Sequence, residues 1–207
     1  MIVIDYGMGN LGSLMNMLKK ARISIKISSN ISDIESADKL ILPGVGSFDN
    51  AMQKLRELEL IEILNKKVIR EHTPILGICL GMQLFTKSSE EGKLPGLGWF
   101  DARTVKFRMD RSSSLKIPHM GWENLTILKP HPIFRDIDTR SMFYFVHSYH
   151  VVCDDDNDVL STSRYGIDFV SSFSKENIIG VQFHPEKSHK YGMKLLHNFS
   201  RISSDNN

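Results

Sequence analysis

The chain of 207 residues lacks the features that mark membrane, nucleic-acid-binding and disulfide-stabilised proteins. No apolar run approaches the ~18 residues that a membrane-spanning helix needs. The formal net charge is only +2, so neither a nucleic-acid nor a membrane partner is expected. The two cysteines, Cys79 and Cys153, lie far apart in the sequence and suit a reducing compartment better than a disulfide framework.

The N-terminal residues also lack the basic segment and apolar core of a secretion signal, so we expect a cytoplasmic protein. Internal repeats and linker-like segments are absent from the sequence, and its length is that of one ordinary domain. We therefore predict a single domain over residues 1–201. The polar residues at the end predict a frayed tail over 202–207.

Roughly the first 90 residues alternate short apolar runs with helical patterns. Strands are predicted at residues 1–4, 23–27, 39–42 and 74–78. Helices are predicted from Leu11, from a capping-box pattern at Ser32, and as a pair over 49–70. This alternation is typical of a parallel sheet that is covered by helices on both faces.

The second half of the chain contains many short runs with strand-like composition, separated by turn residues. The clearest are 142–146 and 169–173, and a helical pattern returns over 193–199. The predicted fold class is therefore a single three-layer α/β domain. Its central sheet is mostly parallel and flanked by helices, and the strands of the second half are more antiparallel.

Residues 77–81 form a Gly-x-Cys-x-Gly motif between an apolar strand and a helix start. The motif is the thiol counterpart of a nucleophile elbow, in which flanking glycines permit a sharp turn. Such a turn places Cys79 above a helix N-terminus, where unpaired N–H groups favour the thiolate. The N–H of Leu80 would then point to where an oxyanion forms. The alternative is a buried cysteine in a glycine-flanked turn.

The third predicted strand is followed by Pro43-Gly44-Val45-Gly46. If this strand lies beside the cysteine strand, an N–H from this loop and the N–H of Leu80 would complete an oxyanion hole. The alternative is an ordinary strand-to-helix turn that is capped by Ser47.

An apolar strand near the end of the chain leads into His184-Pro185-Glu186. Pro185 disfavours helical structure at His184, and residues two apart in an extended segment lie on the same side. A carboxylate beside an imidazole fixes its tautomer and stabilises its protonated form. Alone, the pattern would describe a solvated strand end, but with an elbow cysteine in the same chain it predicts a Cys79–His184–Glu186 triad.

Residues 7–12 match the Gly-x-Gly-x-x-Gly pattern of dinucleotide-binding loops. A dinucleotide site also needs an acidic residue at the end of the second strand, where this chain has Ser28-Ser29-Asn30. We therefore expect no nicotinamide cofactor, and we interpret the segment as a surface turn that could meet a ligand or a partner protein.

Three further histidines, His119, His147 and His150, could in principle bind a metal ion, but no cysteine or acidic residue joins them at a familiar ligand spacing. Packed or partner-facing rings are the favoured interpretation. Cys153 precedes three aspartates, whose charge would raise the pKa of its thiol, so we expect it to play no chemical role.

Taken together, the ordered motifs are similar to those of class I glutamine amidotransferases, and more narrowly to the glutaminase subunits of imidazole glycerol phosphate synthases. The resemblance extends from Asp5 to Phe199. Its motifs are Pro43-Gly44-Val45-Gly46, Gly77-Ile78-Cys79-Leu80-Gly81-Met82-Gln83, Pro118-His119-Met120-Gly121-Trp122, Tyr144-Phe145-Val146-His147-Ser148-Tyr149 and Gly180-Val181-Gln182-Phe183-His184-Pro185-Glu186-Lys187-Ser188.

The resemblance implies a flavodoxin-like fold and hydrolysis of glutamine to glutamate and ammonia through a thioester, with no cofactor or metal. Cys79 would be the nucleophile, His184 the acid and base, and Glu186 its orienting group. Backbone N–H groups of Val45 and Leu80 would form the oxyanion hole. Glutamine would be held by residues at five further positions, which are Gly46, Gln83, Glu91, Ser148 and Tyr149.

It also implies a heterodimer with a (β/α)8-barrel cyclase that uses the ammonia in histidine biosynthesis. The positions that would meet this partner are Asn10, His119, Met120, Trp122 and Lys187. The sequence departs from the usual pattern of the family at Glu123 and at Thr86-Lys87, and these departures leave the identity of the partner open. Related glutaminases supply ammonia for amidino groups on bacterial surface sugars. A stand-alone cysteine hydrolase such as a peptidase, and a non-catalytic docking subunit, are further alternatives.

Overall fold

A computed structural model describes residues 1–109 and 114–202 of the chain. Most of the expected tail, residues 203–207, lies outside the described residues. Ile202 is described: its N–H donates to the carbonyl of Phe199, and its side chain packs against the core.

Six α-helices and twelve β-strands are found in the described residues. The helices are α1 (Leu11–Lys20), α2 (Ile31–Glu35), α3 (Phe48–Glu57), α4 (Leu60–Asn65), α5 (Leu80–Leu84) and α6 (His189–Ser200). The strands are β1 (Ile2–Ile4), β2 (Lys26–Ser28), β3 (Leu40–Gly44), β4 (Ile75–Cys79), β5 (Ala102–Lys106), β6 (His119–Asn124), β7 (Thr126–Ile127), β8 (Met142–His147), β9 (Tyr149–Cys153), β10 (Val159–Tyr165), β11 (Ile167–Lys175) and β12 (Ile178–Val181). No helix in these parts of the chain is long and apolar enough to cross a membrane.

Ten strands form one mixed sheet in the order β2-β1-β3-β4-β12-β11-β10-β7, with β9 also paired to β11 and β5 paired to β9. The strands from β2 to β12 in this order are parallel, and those beyond β12 pair antiparallel. The predicted change from parallel to antiparallel pairing is therefore confirmed. In the sheet, the change lies between β12 and β11, because β12 of the second half returns to pair parallel with β4.

Strand β4 lies at the centre of the parallel part, between β3 and β12. Cys79 at its carboxyl end is the register partner of Gly44 in β3, and Ile78 is the partner of Val181 in β12. The expected adjacency of the glycine-rich loop and the cysteine strand is therefore confirmed. The carboxyl ends of these three strands open at one edge of the sheet, which is where parallel α/β folds bind ligands.

Two hydrophobic clusters cover the two faces of the sheet, and successive strand residues alternate between them. In β3, Leu40 and Leu42 join one cluster, and Ile41 joins the other. The first cluster is closed by α2 to α5, and the second by α1 and α6. This is the three-layer arrangement that the sequence predicts.

A separate two-stranded sheet is formed by β6 and β8, which pair antiparallel with His119 opposite His147. Phe143 and Phe145 of β8 are fully buried in the second cluster. Further along the register, Trp122 lies opposite Tyr144, and its side chain is exposed. The small sheet thus forms a wall beside the carboxyl end of β12.

Two boundaries differ from the sequence-based predictions. The second strand covers Lys26–Ser28, not residues 23–27, because Arg22 adopts a left-handed conformation (φ 56°) and Ile23 still donates its N–H to Leu18 after α1. Helix α2 begins after Asn30, whose side chain accepts from the N–H of Ser32. The cap is therefore Asn30, and the capping-box assignment to Ser32 is wrong.

Two glycines allow the turn between β4 and α5 to pack tightly. A Cβ atom at Gly77 would lie 2.8 Å from the backbone nitrogen of Met82, and one at Gly81 would overlap the carbonyl oxygen of Leu42 in β3. The motif predicts that side chains at these two positions would collide with a strand and a helix, and the folded chain confirms both collisions. A backbone atom cannot move aside as the end of a flexible side chain can.

We expect Gly81→Ala to destabilise the fold by about 1–3 kcal/mol, because the added methyl group forces α5 away from β3. Gly12→Ala is the matched control. Gly12 lies in α1 with open space around it, so alanine there should leave stability unchanged or raise it by up to ~1 kcal/mol. Urea unfolding measures both variants. Equal stability of the two would contradict the close packing of α5 on β3.

Candidate active site

Cys79 is the last residue of β4 and directly precedes α5. Its backbone has φ 54° and ψ −109°, a conformation that residues other than glycine rarely adopt and that recurs at functional sites. The side chain is only 7% exposed. Its sulfur lies 3.6 Å from Nε2 of Gln182 and 3.9 Å from the carbonyl oxygen of Val146.

His184 follows β12 and contacts Glu186: Nδ1 of the ring lies 2.7 Å from Oε1 of the carboxylate. Both side chains are nearly fully buried, with 2% and 5% exposure. The pair is close, but the predicted reason is wrong. The segment is not extended, since Pro185–Lys187 is a single 3₁₀ turn, and it is this turn that folds the carboxylate back onto the ring.

The charges around His184 favour its protonated form. Burial alone would lower the pKa of the ring, but the neighbouring Cys79 and the Glu186 carboxylate together outweigh it and raise the pKa well above the ordinary value. Nε2 of His184 is buried without a hydrogen-bond partner among the residues that the structure describes. The arrangement is suited to an ion pair of thiolate and imidazolium.

Backbone contacts from the small sheet hold His184 in place. The N–H of His184 donates to the carbonyl of Tyr144 at 2.8 Å. The hydroxyl of Ser188 donates to the carbonyl of His184 at 2.6 Å and accepts from the N–H of Tyr144 at 3.0 Å. Strand β8 therefore fixes the turn that carries the histidine and the glutamate.

A cavity of about 270 Å³ opens beside Cys79 and His184. All of the predicted oxyanion and substrate positions line it, namely Val45, Gly46, Leu80, Gln83, Glu91, Ser148 and Tyr149. Three residues not predicted as site residues complete the wall, namely Pro118, Val146 and His147. The sequence thus indicates most of the cavity, and Glu186 lies behind the ring of His184, outside the lining.

Two glutamine side chains connect the cavity wall to the sulfur. Nε2 of Gln83 donates to the carbonyl of Tyr149 at 3.1 Å and to Oε1 of Gln182 at 3.0 Å. Gln182 is fully buried, and its amide N–H groups point to the sulfur of Cys79. Gln182 was not predicted as a site residue, although it lies two residues before His184. The signal that could have found it is a buried amide at the end of an apolar strand, which needs partners.

Glu91 reaches the cavity from a loop that is fastened to α3. Its Oε2 accepts from the N–H of Phe48 at 2.9 Å, and the carboxylate of Asp49 accepts from the N–H groups of Lys93 and Leu94 at 2.9–3.0 Å. Ser47 is the residue before α3 but makes no capping hydrogen bond with its side chain. The alternative of a turn capped by Ser47 is therefore wrong, since Glu91 occupies that role.

The electrostatics of the two carboxylates differ. Burial raises the pKa of Glu91, with the N–H of Phe48 opposing and the charge of Asp49 adding to the effect. The N–H groups of Lys93 and Leu94 lower the pKa of Asp49. Asp49 therefore stays ionised and holds the loop, while Glu91 remains the half-buried carboxylate at the cavity.

The loop that follows β1 packs against the glycine-rich loop after β3. The hydroxyl of Tyr6 donates to the carbonyl of Pro43 at 2.8 Å, and burial raises the pKa of this hydroxyl. A Cβ at Gly46 (φ 104°) would lie 2.8 Å from the methyl group of Met8. Asn10 is exposed and caps α1 by accepting from the N–H of Ser13. The segment that resembles a dinucleotide loop is thus a support for the cavity edge.

The residues expected to meet a partner differ in exposure. Met120 and Trp122 are 62% and 37% exposed, and Lys187 is exposed with its Nζ 5.3 Å from the ring centre of Tyr144. His119 is fully buried. Because side chains alternate along β6, His119 faces inward where its neighbours face outward, and the expectation that it contacts a partner directly is corrected.

The other histidines and the second cysteine lie in surroundings that indicate a structural role. His119, His147 and His150 pack among aromatic rings, chiefly around Phe107. Within residues 1–109 and 114–202, no group of three or more His, Cys, Asp or Glu side chains is arranged to hold a metal ion. The pKa of Cys153 is raised to about 12, first by burial and then by the nearby aspartates.

Comparison with solved structures reveals a shared fold. The chain superposes on a crystal structure titled as a glutamine amidotransferase with a TM-score of 0.70, covering 97% of this chain and 99% of the other at 18% identity. At that identity the likeness concerns the fold alone.

Sequence comparison gives much closer relatives. The chain is 55% identical to imidazole glycerol phosphate synthase subunit HisH 2 of Methanococcus maripaludis, over 95% of this chain and 96% of the relative. It is 48% identical to the protein of the same name from Pseudomonas aeruginosa, over 97% and 98% of the two chains. The family model described as glutamine amidotransferase class-I matches residues 2–202. The chain therefore belongs to the class I glutamine amidotransferases, in the group of imidazole glycerol phosphate synthase HisH subunits.

Proposed function

We propose that this chain is the glutaminase subunit of an imidazole glycerol phosphate synthase, with residues 1–201 as one glutaminase domain in the cytoplasm. It hydrolyses L-glutamine to glutamate and ammonia. The observation that carries the proposal is a cavity of about 270 Å³ that is lined by Cys79, His184 and Glu91. Its volume suits a ligand of the size of a small amino acid. The names of the relatives supply the pathway, which is histidine biosynthesis.

In the first half of the reaction, the Cys79 thiolate attacks the side-chain amide carbon of glutamine. The new C–S bond moves the carbonyl electron pair onto oxygen, and the N–H groups of Val45 and Leu80 stabilise the resulting oxyanion. The protonated ring of His184 then gives its proton to the departing nitrogen. Ammonia leaves, and a glutamyl thioester remains on Cys79.

In the second half, water attacks the thioester and His184 takes its proton. The tetrahedral intermediate collapses to glutamate, and the sulfur leaves as a thiolate beside the imidazolium. Glu186 keeps the proton on Nδ1 of His184 throughout, so that Nε2 serves both steps. The elevated pKa of His184 supports this role, because the ring must be protonated when ammonia departs.

The α-ammonium group of glutamine binds the carboxylate of Glu91, since a buried cation requires a compensating anion. Gly46, Gln83, Ser148 and Tyr149 hold the rest of the substrate. The small volume of the cavity favours a free amino acid over a peptide, which distinguishes this proposal from a peptidase on the same fold.

We expect Cys79→Ser to lower glutamate release at least ~1,000-fold, because the hydroxyl of serine is a much poorer nucleophile than the thiolate of cysteine. The same variant in complex with its synthase partner should regain product formation when ammonium salts are added. Measured glutamate release and acceptor turnover separate the two steps. Undiminished glutamate release would instead favour a non-catalytic docking role, and peptide cleavage by the wild-type chain would favour the peptidase.

Asp49→Ala should raise the KM for glutamine roughly 10-fold with a smaller effect on kcat, because it frees two backbone N–H groups and loosens the loop of Glu91. Asp138→Ala is the control, since Asp138 likewise accepts a backbone N–H, from Arg140, but holds no loop that carries a residue of the cavity lining. Steady-state glutaminase kinetics test both. A KM unchanged in the Asp49 variant would exclude the proposed support of Glu91.

The proposed partner is a (β/α)8-barrel cyclase that receives the ammonia without its release to solvent. A continuous surface supports docking beside the triad. The ring of His189 stacks on Trp122 with centres 5.2 Å apart, and Trp122 also contacts Tyr144 under Lys187. A groove of about 540 Å³ joins Lys187 and His189 to α1. Asn10 at the start of α1 is the remaining predicted contact.

Met120→Ala should weaken binding of the barrel subunit about 5- to 10-fold, since an exposed apolar side chain in a docking surface loses its burial. Leu128→Ala is the matched control, because Leu128 is 54% exposed just beyond the edge strand β7. Calorimetric titration of each variant with the barrel subunit measures the difference. Equal losses in both would place the docking surface elsewhere.

By analogy with the family, the isolated chain is a poor glutaminase that is activated when the partner binds its own substrate. High turnover by the chain alone would contradict this proposal. Stimulation by the acceptor of an amidino-sugar synthase, and not by the histidine-pathway acceptor, would assign the chain to surface-sugar synthesis.

A further inference from the structure

A buried pair of histidines lies between the small sheet and the cavity. His119 in β6 and His147 in β8 are register partners, and Nδ1 of His119 lies 3.1 Å from Nε2 of His147. Their side chains are 0% and 6% exposed. The ring of His119 stacks between Phe145 and Tyr165, with ring centres 5.3 and 4.0 Å away. The glutaminase mechanism above uses neither histidine.

The neighbours of the pair determine which nitrogen carries each proton. Nδ1 of His147 lies 2.8 Å from the carbonyl oxygen of Tyr149, and a carbonyl only accepts, so this nitrogen carries a hydrogen. Burial lowers the pKa of His147 to about 3 and that of His119 to about 4, so both rings are neutral at pH 7. Nε2 of His147 is therefore an acceptor, and Nδ1 of His119 must be the donor.

The carbonyl of Tyr149 links this pair to the reacting sulfur. It accepts from His147 at 2.8 Å and from Nε2 of Gln83 at 3.1 Å. Gln83 also donates to Gln182, whose own amide nitrogen lies 3.6 Å from the sulfur of Cys79. Two chains of hydrogen bonds thus meet at one carbonyl in the cavity wall.

The other end of the network reaches the surface through β6. Nε2 of His119, buried and without a hydrogen-bond partner among the described residues, lies 3.5 Å from Oε1 of Glu123. Burial raises the pKa of the Glu123 carboxyl, which is one-third exposed. The same strand carries the exposed Met120 and Trp122.

We propose that the His119–His147 pair is a positioning element for glutamine: in one fixed tautomer it holds the Tyr149 carbonyl, and so sets the cavity wall formed by residues 147–149 and Gln83. This inference rests on the proposed glutaminase function. Without the donated hydrogen from His119, the ring of His147 loses its partner at Nε2. Tyr149 and Ser148 are then no longer held in one place, and glutamine binds more weakly while the Cys79 nucleophile remains intact.

The first experiment is nitrogen-15 NMR of the histidine rings in the full chain at pH 7, with His147→Gln used to assign the signals. The expected spectrum shows a neutral His147 ring with its proton on Nδ1. The Nε2 signal of His147 should shift in His119→Leu, which removes its donor. A proton on Nε2 of His147 in the wild-type chain would overturn the proposal.

The second experiment measures how Cys79 is alkylated. The probe is a chloromethyl ketone analogue of glutamine, whose chloride is displaced by the thiolate to form a thioether. Iodoacetamide serves as the reagent that needs no substrate pocket. In His119→Leu, half-saturation by the analogue should require roughly 3- to 10-fold more reagent, the worth of one hydrogen bond, at an unchanged rate with iodoacetamide.

Two variants separate positioning from packing. His119→Asn retains an N–H near the place of Nδ1 and should stay within about 2-fold of the wild type. His150→Leu removes a ring that also packs on Phe107 but whose Nδ1 faces the carbonyl of Val151, and it should have no effect on half-saturation. Equal impairment in His119→Asn and His119→Leu, or in His150→Leu, would overturn the proposal. If the wild-type chain reacts with iodoacetamide but never saturates with the analogue, the glutaminase function fails, and the NMR result alone decides the tautomer.

Discussion

The parallel pairing of β4 with β3 on one side and β12 on the other is the constraint on which the site depends. Register fixes Cys79 opposite Gly44 and Ile78 opposite Val181, so three segments distant in sequence end at one edge. The nucleophile, the glycine-rich loop and the segment leading to His184 are thereby brought together before any of their side chains interact. The absence of a side chain at Gly81 lets α5 start directly against β3.

The two histidines of the cavity wall illustrate how surroundings decide the chemistry of one residue type. His184 and His147 are both buried, and burial alone lowers the pKa of each. His184 faces Cys79 and the Glu186 carboxylate, so charge outweighs burial and the ring is held protonated. His147 has no carboxylate beside it among the described residues, so burial outweighs its hydrogen bond to the carbonyl of Tyr149, and the neutral ring can only transmit hydrogen bonds. One is suited to proton transfer and the other to holding a wall in place.

Local motifs were enough to predict the elements that end at the site, because glycine spacing and apolar runs are properties of short segments. The fold class and the adjacency of β3 and β4 are confirmed by the structure. Pro118 and Val146 could not be found in this way, since their place in the cavity wall depends on the pairing of β6 with β8. The choice between a packed and a partner-facing His119 stayed open for a similar reason: which face of β6 is inward is set by the rings packed against it.

Two of the three edge strands of the ten-stranded sheet are very short, and the third, β5, makes backbone hydrogen bonds to the segment of residues 87–90. Strand β2 has three residues and carries the exposed Lys26, and strand β7 at the other end has only two. Edges of this kind offer few free backbone groups to an added strand, so they protect a chain against edge-to-edge aggregation. Self-association of the chain through the edges of this sheet is therefore disfavoured.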